Sequence, residues 1–301
     1  MIWDKKGLVF CADNQFDWMS KFATLPIAIH LEDDLYRIYF STRDKSNCSH
    51  AAFIEIDINS PNKINRISSK PLLSPGKIGL FDDSGVQPCS ILFHDNKLYM
   101  YYAGWCLSSK IPFHTYLGLS ISEDNLNFTK VSKVPILDRS NIDPYSIGWC
   151  FVMKENNKFV MWYESNIDWK NSNSRQGQYF NIKYATSDDG INWKREGVVC
   201  LDLLENETIL SRPSVLFDNG IYKMWYSYKQ NYKYRIGYAE SNNGIRWERK
   251  DKEVGIHLSD SGWDSEEIEY PFVFKHKSDI YMLYNGNGYG RSGFGIAKLI
   301  Q

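Results

Sequence analysis

The chain has no block of basic residues: 35 Lys and Arg stand against 36 Asp and Glu, for a formal net charge of -1 over 301 residues. It therefore lacks the electrostatic footprint of a nucleic-acid binder. No apolar run approaches the length of a membrane-spanning helix. The opening Met1-Ile2-Trp3-Asp4-Lys5-Lys6 is not followed by the apolar stretch of a secretory leader. Cys11, Cys48, Cys89, Cys106, Cys150 and Cys200 lie far apart with no C-x-x-C pair, so zinc-ligand spacing is missing. Such thiols are expected to be reduced and mostly buried. Convincing amphipathic helices are also missing, apart from a short helical turn expected within 201–210. No linker or low-complexity stretch divides the sequence. The expectation is one cytoplasmic domain over residues 1–301, with no metal and no cofactor.

What the chain does have is aromatic residues: 20 Tyr, 16 Phe and 10 Trp. Rings favour strands, and at a cleft they supply flat faces. They also recur in order. Ser122-Glu123-Asp124-Asn125-Leu126-Asn127-Phe128 is followed by Ser187-Asp188-Asp189-Gly190-Ile191-Asn192-Trp193 and by Ser241-Asn242-Asn243-Gly244-Ile245-Arg246-Trp247. Each copy follows a short apolar run, as expected of a strand, a polar turn and a second strand. We read these turns as scaffold, with Trp193 packing between repeats, because a hairpin needs those residues anyway.

A second pattern precedes them: an apolar strand, a polar turn, then an aromatic strand. It occurs at Leu25–Phe40, Gln87–Tyr102, Trp149–Tyr163, Arg212–Tyr226 and Tyr270–Tyr284. Five copies of a four-stranded unit predict an all-β fold, a five-bladed β-propeller of four-stranded antiparallel blades. The blades are expected to start near 22, 84, 145, 211 and 268. The first eighteen residues should supply an outer strand that closes the ring and covers an exposed edge.

In that topology the starts of the first strands and the ends of the second strands share one face. Side chains there converge on the axis. They include Asp82, Asp83 and Gln87; Asp143 and Trp149; Arg212; Glu266, Glu267, Glu269 and Tyr270; and Arg43, Trp105, Glu164, Tyr228 and Asn287. Paired carboxylates in one pocket suit glycosidic bond chemistry, with one acid protonating the leaving oxygen. Aromatic faces stack on sugar rings, while Asn, Gln and Arg bind hydroxyls. Asp83 suits a loop cap as well as a site, and Asp143 before Pro144 suits a turn opener. Glu164 interrupts a strand that otherwise reads as core, so it must face a cleft or be paired. Glu269 is preferred within its acidic run because it is nearest the strand start. Arg43 and Arg212 suit pairing with an acid, or phosphate and carboxylated sugars. The glycine-rich 286–293 stretch reads as a rim loop.

With the Ser-x-Asp-Gly-x-x-Trp turn and the Trp-Tyr strand ends at Trp162-Tyr163 and Trp225-Tyr226, the chain resembles the five-bladed propeller glycoside hydrolase superfamily. That group holds arabinanase/levansucrase-like and mannoside phosphorylase-like enzymes. The resemblance runs from about Asp17 onward and is more specific for fold than for reaction. Its inverting members use an Asp base, an orienting Asp and a Glu acid on innermost strands. Asp83, Asp143 and Glu269 are the positional matches, with Glu164 as a fourth catalytic candidate. The first unit departs from the pattern, because no Asp immediately precedes Leu25-Pro26.

Three functions follow. The first is cleavage or transfer of a glycosyl unit of a small carbohydrate or glycoconjugate, which the resemblance links to surface-glycan and polysaccharide metabolism. The second is a phosphorylase or nucleotide-sugar transferase, with Arg43 and Arg212 on phosphate. The third is sugar binding without turnover.

Overall fold

The computed structural model describes residues 1–172 and 175–300. An N-terminal strand β1 (Trp3–Phe10) and a short β2 (Asp13–Phe16) precede a series of antiparallel meanders. The first meander is β3 (Met19–Glu32), β4 (Leu35–Arg43), β5 (Ser49–Asp57) and β6 (Ile64–Ile67). The second is β7 (Gly85–His94), β8 (Lys97–Leu107), β9 (Phe113–Ser122) and β10 (Thr129–Lys130). The third is β11 (Ile147–Glu155), β12 (Lys158–Ser172), β13 (Arg175–Ser187) and β14 (Trp193–Leu201). The fourth is β15 (Glu207–Asp218), β16 (Ile221–Gln230), β17 (Lys233–Ser241) and β18 (Glu248–Arg249). The last comprises β19 (Glu269–His276), β20 (Asp279–Asn285) and β21 (Phe294–Leu299), and β1 pairs antiparallel with β21 as its outermost strand.

Turn chemistry explains the hairpins. The first two strands of every meander close over two residues, between Glu32 and Leu35, His94 and Lys97, Glu155 and Lys158, Asp218 and Ile221, and His276 and Asp279. The first central residue is left-handed in each: Asp33, Asp95, Asn156, Asn219 and Lys277 have φ of 44, 48, 46, 51 and 55°. Two-residue hairpins demand that conformation, and Asn and Asp tolerate it best.

The repeated serine turns fasten one meander to the next. Oδ1 of Asp189 accepts the backbone N–H of Ile191 and Asn192 at 2.8 and 2.7 Å. The turn carbonyls of Asn125, Gly190 and Gly244 accept hydrogen bonds from Tyr39, Tyr101 and Trp162 of the preceding meander. Phe128, Trp193 and Trp247 stand edge-on to those same three rings, with centroids 6.0 Å apart in each case. An edge-to-face pair contributes about 0.5–1.5 kcal/mol beyond its buried area.

The first strands touch in a cycle: β3 meets β7, β7 meets β11, β11 meets β15, β15 meets β19, and β19 returns to β3. The seam between first and last is held by His276, whose Nε2 lies 2.8 Å from Asp34 Oδ1 and whose Nδ1 lies 3.0 Å from the Tyr36 hydroxyl. The helical turn expected within 201–210 does not form. Residues 207–210 instead enter β15, because Ile209 and Leu210 are buried against neighbouring strands and pair with Lys229 and Tyr228. Cys89, Cys150 and Cys200 are buried, the other three cysteines are partly exposed, and all six are free. Among the described residues no helix is long and apolar enough to cross a membrane.

Candidate active site

Each first strand slips register near its start: between Thr24 and Ile27, Pro88 and Ser90, Ile147 and Cys150, Ser211 and Ser214, and Glu269 and Phe272. A bulge of this kind re-aims a side chain. Leu25, Arg212 and Tyr270, each before a proline, are left-handed there with φ of 60, 53 and 54°. Leu25, Gln87, Trp149 and Tyr270 converge on one cleft of about 430 Å³. Arg212, at the equivalent place in β15, is instead fully buried. Its guanidinium donates to the backbone carbonyls of Cys89 and Pro26, on two other first strands.

The second strands contribute at two levels. One residue past the aligned Phe40, Tyr102, Tyr163, Tyr226 and Tyr284 stand Ser41, Ala103, Glu164, Ser227 and Asn285, all buried. Glu164 is the single carboxylate of the five, and it lines the cleft. Its Oε2 accepts the Ser211 hydroxyl at 3.0 Å and the Trp149 backbone N–H at 3.3 Å. Burial pushes its carboxyl up to about 8, against those two bonds. Two positions further along, Arg43, Trp105 and Lys229 also line the cleft. Asn166, at the same level, is fully buried, and neither amide atom has a partner.

Glu269 is fully buried beside this group, and both its oxygens are without hydrogen-bond partners. Burial, and secondly the nearby Glu267, hold its carboxyl well above the usual range. Burial, and secondly the closeness of Glu269, hold the Tyr234 and Tyr270 hydroxyls well above the usual phenol range. Their rings lie 5.8 Å apart, with Trp149 6.3 Å beyond Tyr270 and Tyr289 edge-on to Tyr234 at 5.7 Å. Also lining the cleft, Arg43 lies over Phe22 at 5.1 Å and Trp105 at 5.6 Å. Its Nη1 meets Asn47 at 3.1 Å, its Nε is buried without a partner, and burial lowers its pKa. Among the described residues neither Arg43 nor Lys229 forms an ion pair. The arrangement offers a protonated acid, stacking faces and two cations that meet no carboxylate.

The cleft thus gathers Arg43, Gln87, Trp105, Trp149, Glu164 and Tyr270 from the residues picked out by sequence. Others lie elsewhere. Asp82 accepts the Tyr102 hydroxyl at 3.1 Å and pairs with Lys130 at 2.5 Å. Asp83 caps a turn, accepting Gly79 N–H and the Ser84 hydroxyl at 2.9 Å each. Asp143 accepts Tyr163 at 3.0, Ser165 at 2.6, Lys183 at 2.9 and Arg195 at 3.1 Å. Burial pushes its carboxyl up, but the Ser165 and Lys183 bonds outweigh that and hold it low. Asn287 caps the Glu266 and Glu267 backbone, and Tyr228 lies under Arg249. Lys229, Tyr234, Tyr289, Phe113 and Gln178 line the cleft and were not anticipated. Aligning the strand ends three residues past the shared tyrosine would have found Lys229. Tyr234 sits on a third strand, where the topology argument did not look. Among the described residues no cluster of three or more His, Cys, Asp or Glu is placed to hold a metal.

No protein-family model matches the chain. It is 37% identical over 300 residues to "Uncharacterized protein Rv1502" of Mycobacterium tuberculosis, covering 99% of both chains. It is 25% identical over 178 residues to a beta-1,2-mannobiose phosphorylase of Thermoanaerobacter sp., covering 54% of this chain and 56% of that one. A glycosyl hydrolase from Bacteroides ovatus superposes with TM-score 0.76 at 15% identity, covering 99% of this chain and 93% of the other. The chain has the fold of a glycoside hydrolase. It also superposes, with TM-score 0.71, 16% identity and coverage of 98% and 93%, on a structure from the mannoside phosphorylase family that contains glycoside hydrolases targeting beta-1,2 mannosidic linkages.

Proposed function

We propose that the five meanders are the blades of one propeller domain, and that the cleft cleaves or transfers a glycosyl unit with Glu164 as general acid. The observation that carries this reading is Glu164 itself: a carboxyl lining an aromatic cleft and kept protonated up to about pH 8 by burial. Its Oε2 is occupied by Ser211 and Trp149, which leaves Oε1 to face a substrate oxygen. The acid proton passes to the leaving oxygen as the anomeric C–O bond breaks, and an acceptor oxygen takes the glycosyl group. The aromatic walls supply the faces on which sugar rings stack.

A second reading takes phosphate as that acceptor. Arg43 and Lys229 support it, since two unpaired cations beside neutral carboxyls favour an anion. The name of the Thermoanaerobacter relative, a beta-1,2-mannobiose phosphorylase, points the same way. One experiment tests both readings. Wild type and Glu164→Gln are assayed on β-1,2-linked mannobiose and aryl glycosides, each with and without inorganic phosphate. A loss of about 10²-fold or more in the variant is expected of a general acid. Phosphate-dependent turnover selects the second reading. Melting shifts on sugar addition with no turnover by wild type would overturn both and leave a sugar-binding propeller.

A further inference from the structure

Among the second strands β12 is the longest. It runs for 15 residues, against 9, 11, 10 and 7 in β4, β8, β16 and β20, and its partner β13 has 13. The hairpin therefore continues past the level at which the other second strands end.

Register decides which side chains that hairpin turns to the cleft. Glu164 pairs with Ile182 and Asn166 with Phe180, so all four occupy one face. Plain alternation would bring Asp168 to that face next. Instead Ile167 is an extra residue on β12: the register slips between Asn166 and Asp168, Asp168 pairs with Tyr179, and Trp169 pairs with Gln178. A bulge of this kind shifts the alternation by one. Trp169 thereby joins Glu164 and Asn166, across from Gln178, which lines the cleft. The reverse face agrees. There Asp168 meets Lys170 at 3.5 Å, and Lys170 lies 4.6 Å from the Tyr179 ring centre.

Polar atoms on the cleft face are left open. Both amide atoms of the fully buried Asn166 lack a partner, and so does the Trp169 indole N–H. Native structures seldom bury such groups unpaired, and each exception calls for a cause. The rings lead the same way. Trp105 and Phe113, both on the cleft wall, stand edge-on at 6.3 Å, and Phe113 stands edge-on to Trp169 at 6.5 Å. On β13 the partners of Glu164 and Trp169 are Ile182 and Gln178, four residues apart. At about 3.3 Å per residue that is roughly 13 Å, well over the width of one sugar ring.

We propose that this face of the β12–β13 hairpin is a subsite for sugar units beyond the one Glu164 acts on, so that the substrate is a neutral glycan chain laid along the hairpin rather than a disaccharide. Asn166 gives a hydrogen bond to one hydroxyl of the chain and takes one from another, and Trp169 holds the next unit with its ring and its N–H. The hairpin face carries amides and rings and no cation, which suits an uncharged chain. This inference rests on the glycosyl reading of Glu164, but its test reads binding and needs no turnover.

The test is isothermal titration of the intact protein, wild type and Glu164→Gln, with β-1,2-linked manno-oligosaccharides of two to five units. Affinity should rise about tenfold from two units to four, the worth of one stacked ring or one good hydrogen bond. Trp169→Ala should flatten that rise, and Trp169→Phe should keep most of it. Asn166→Leu should also flatten it, with a melting temperature equal to or above that of wild type, because the amide it removes has no partner in the free protein. A lowered melting temperature would give Asn166 a structural role and overturn its part in binding. Affinity independent of length in wild type, no binding of any member, or a length dependence that survives both Trp169→Ala and Asn166→Leu overturns the subsite. Failure of the glycosyl reading looks different: the length dependence stands, while wild type turns over no member of the series with or without phosphate.

Discussion

Gly148 stands against the carboxyl group of Glu164: a Cβ at position 148 would lie 2.5 Å from Oε2 and 2.7 Å from Cδ. Gly148 is not left-handed, so alanine meets no backbone penalty there and the whole effect falls on the acid. Gly148→Ala should push Glu164 off its bonds to Ser211 and Trp149. A displacement near 1 Å at a reacting group costs about 10²-fold in rate. We expect kcat to fall by that order in a folded Gly148→Ala protein, with KM changing far less. Steady-state kinetics beside a melting curve checks it. A variant with wild-type kcat would remove Glu164 from the chemistry.

The raised Glu164 carboxyl fixes the sign of two pH dependences. As a general acid it must be protonated, so kcat should fall as pH rises through about 8. The same group acts on stability. Its native pKa exceeds its unfolded one, so the folded state binds the extra proton between the two values. Its contribution is full below the unfolded carboxylate range and is lost as pH rises towards about 8. Glu164→Gln should therefore flatten the dependence of melting temperature on pH across that window. Parallel curves for variant and wild type would show that the carboxyl titrates normally.

Asp143 belongs to a recurring latch. A tyrosine of the second strand donates to an aspartate, and a cation of another strand pairs with it: Tyr102, Asp82 and Lys130; Tyr163, Asp143 and Lys183; Tyr284, Asp264 and Lys5. In the first meander Phe40 takes the tyrosine's place, and the latch is absent there. Asp143→Asn strips the charge that holds Lys183 and Arg195, both largely buried. Breaking a buried pair from one side costs about 3–5 kcal/mol. The expected phenotype is a lowered denaturation midpoint with kcat per folded molecule retained. Selective loss of kcat at unchanged stability would return Asp143 to the list of catalytic groups.

The difference between Asp143 and Glu164 also marks how far the sequence could be read. Strand pattern and turn chemistry are local, so the hairpins at Asp33, Asp95, Asn156, Asn219 and Lys277 were legible, and so were the serine turns. Strand direction alone placed Glu164, Trp149 and Gln87 on one face, and the three line one cleft. Which acid on that face is paired depends on contacts distant along the chain, such as Arg195 on Asp143, 52 residues away. Nothing in the Asp143-Pro144 dipeptide encodes that partner. Tyr234 escaped for the same reason, since its place is set by the register of β16 against β17, whereas Lys229 lay within reach of the strand-end alignment.

Arg43 should separate phosphate from water as acceptor. Its guanidinium is fixed between Phe22 and Trp105 and meets no carboxylate, so it is pre-placed for an anion. Hydrogen bonds between charged groups contribute about 1.5–3 kcal/mol, which is roughly 10- to 150-fold in affinity. Arg43→Met should raise KM for inorganic phosphate by a factor in that range and leave KM for a neutral glycoside nearly unchanged. Equal rises in both would mean that Arg43 binds the sugar instead.

The last prediction concerns how the N-terminal strand is held. Lys5 of β1 reaches Asp264 Oδ2 at 2.7 Å and the Ser259 hydroxyl at 3.0 Å, and the Tyr284 hydroxyl meets Asp264 at 2.9 Å. Trp3 adds an indole N–H to the Val254 carbonyl at 2.9 Å and an edge contact to Trp225 at 6.0 Å. These contacts tie β1 to the fourth and last meanders while it pairs with β21. Lys5→Met keeps much of the apolar stem and removes the charge, leaving Asp264 buried with Tyr284 alone. A buried group that loses its charged partner costs about 1–3 kcal/mol or more. Because β1 is the outermost strand of its sheet, the loss should appear first as local opening. Amide exchange should speed up in β1 and β21 before β19 and β20 respond. Uniform acceleration across the chain would mean that β1 opens only with global unfolding, and that the latch at Asp264 sets the stability of the entire fold.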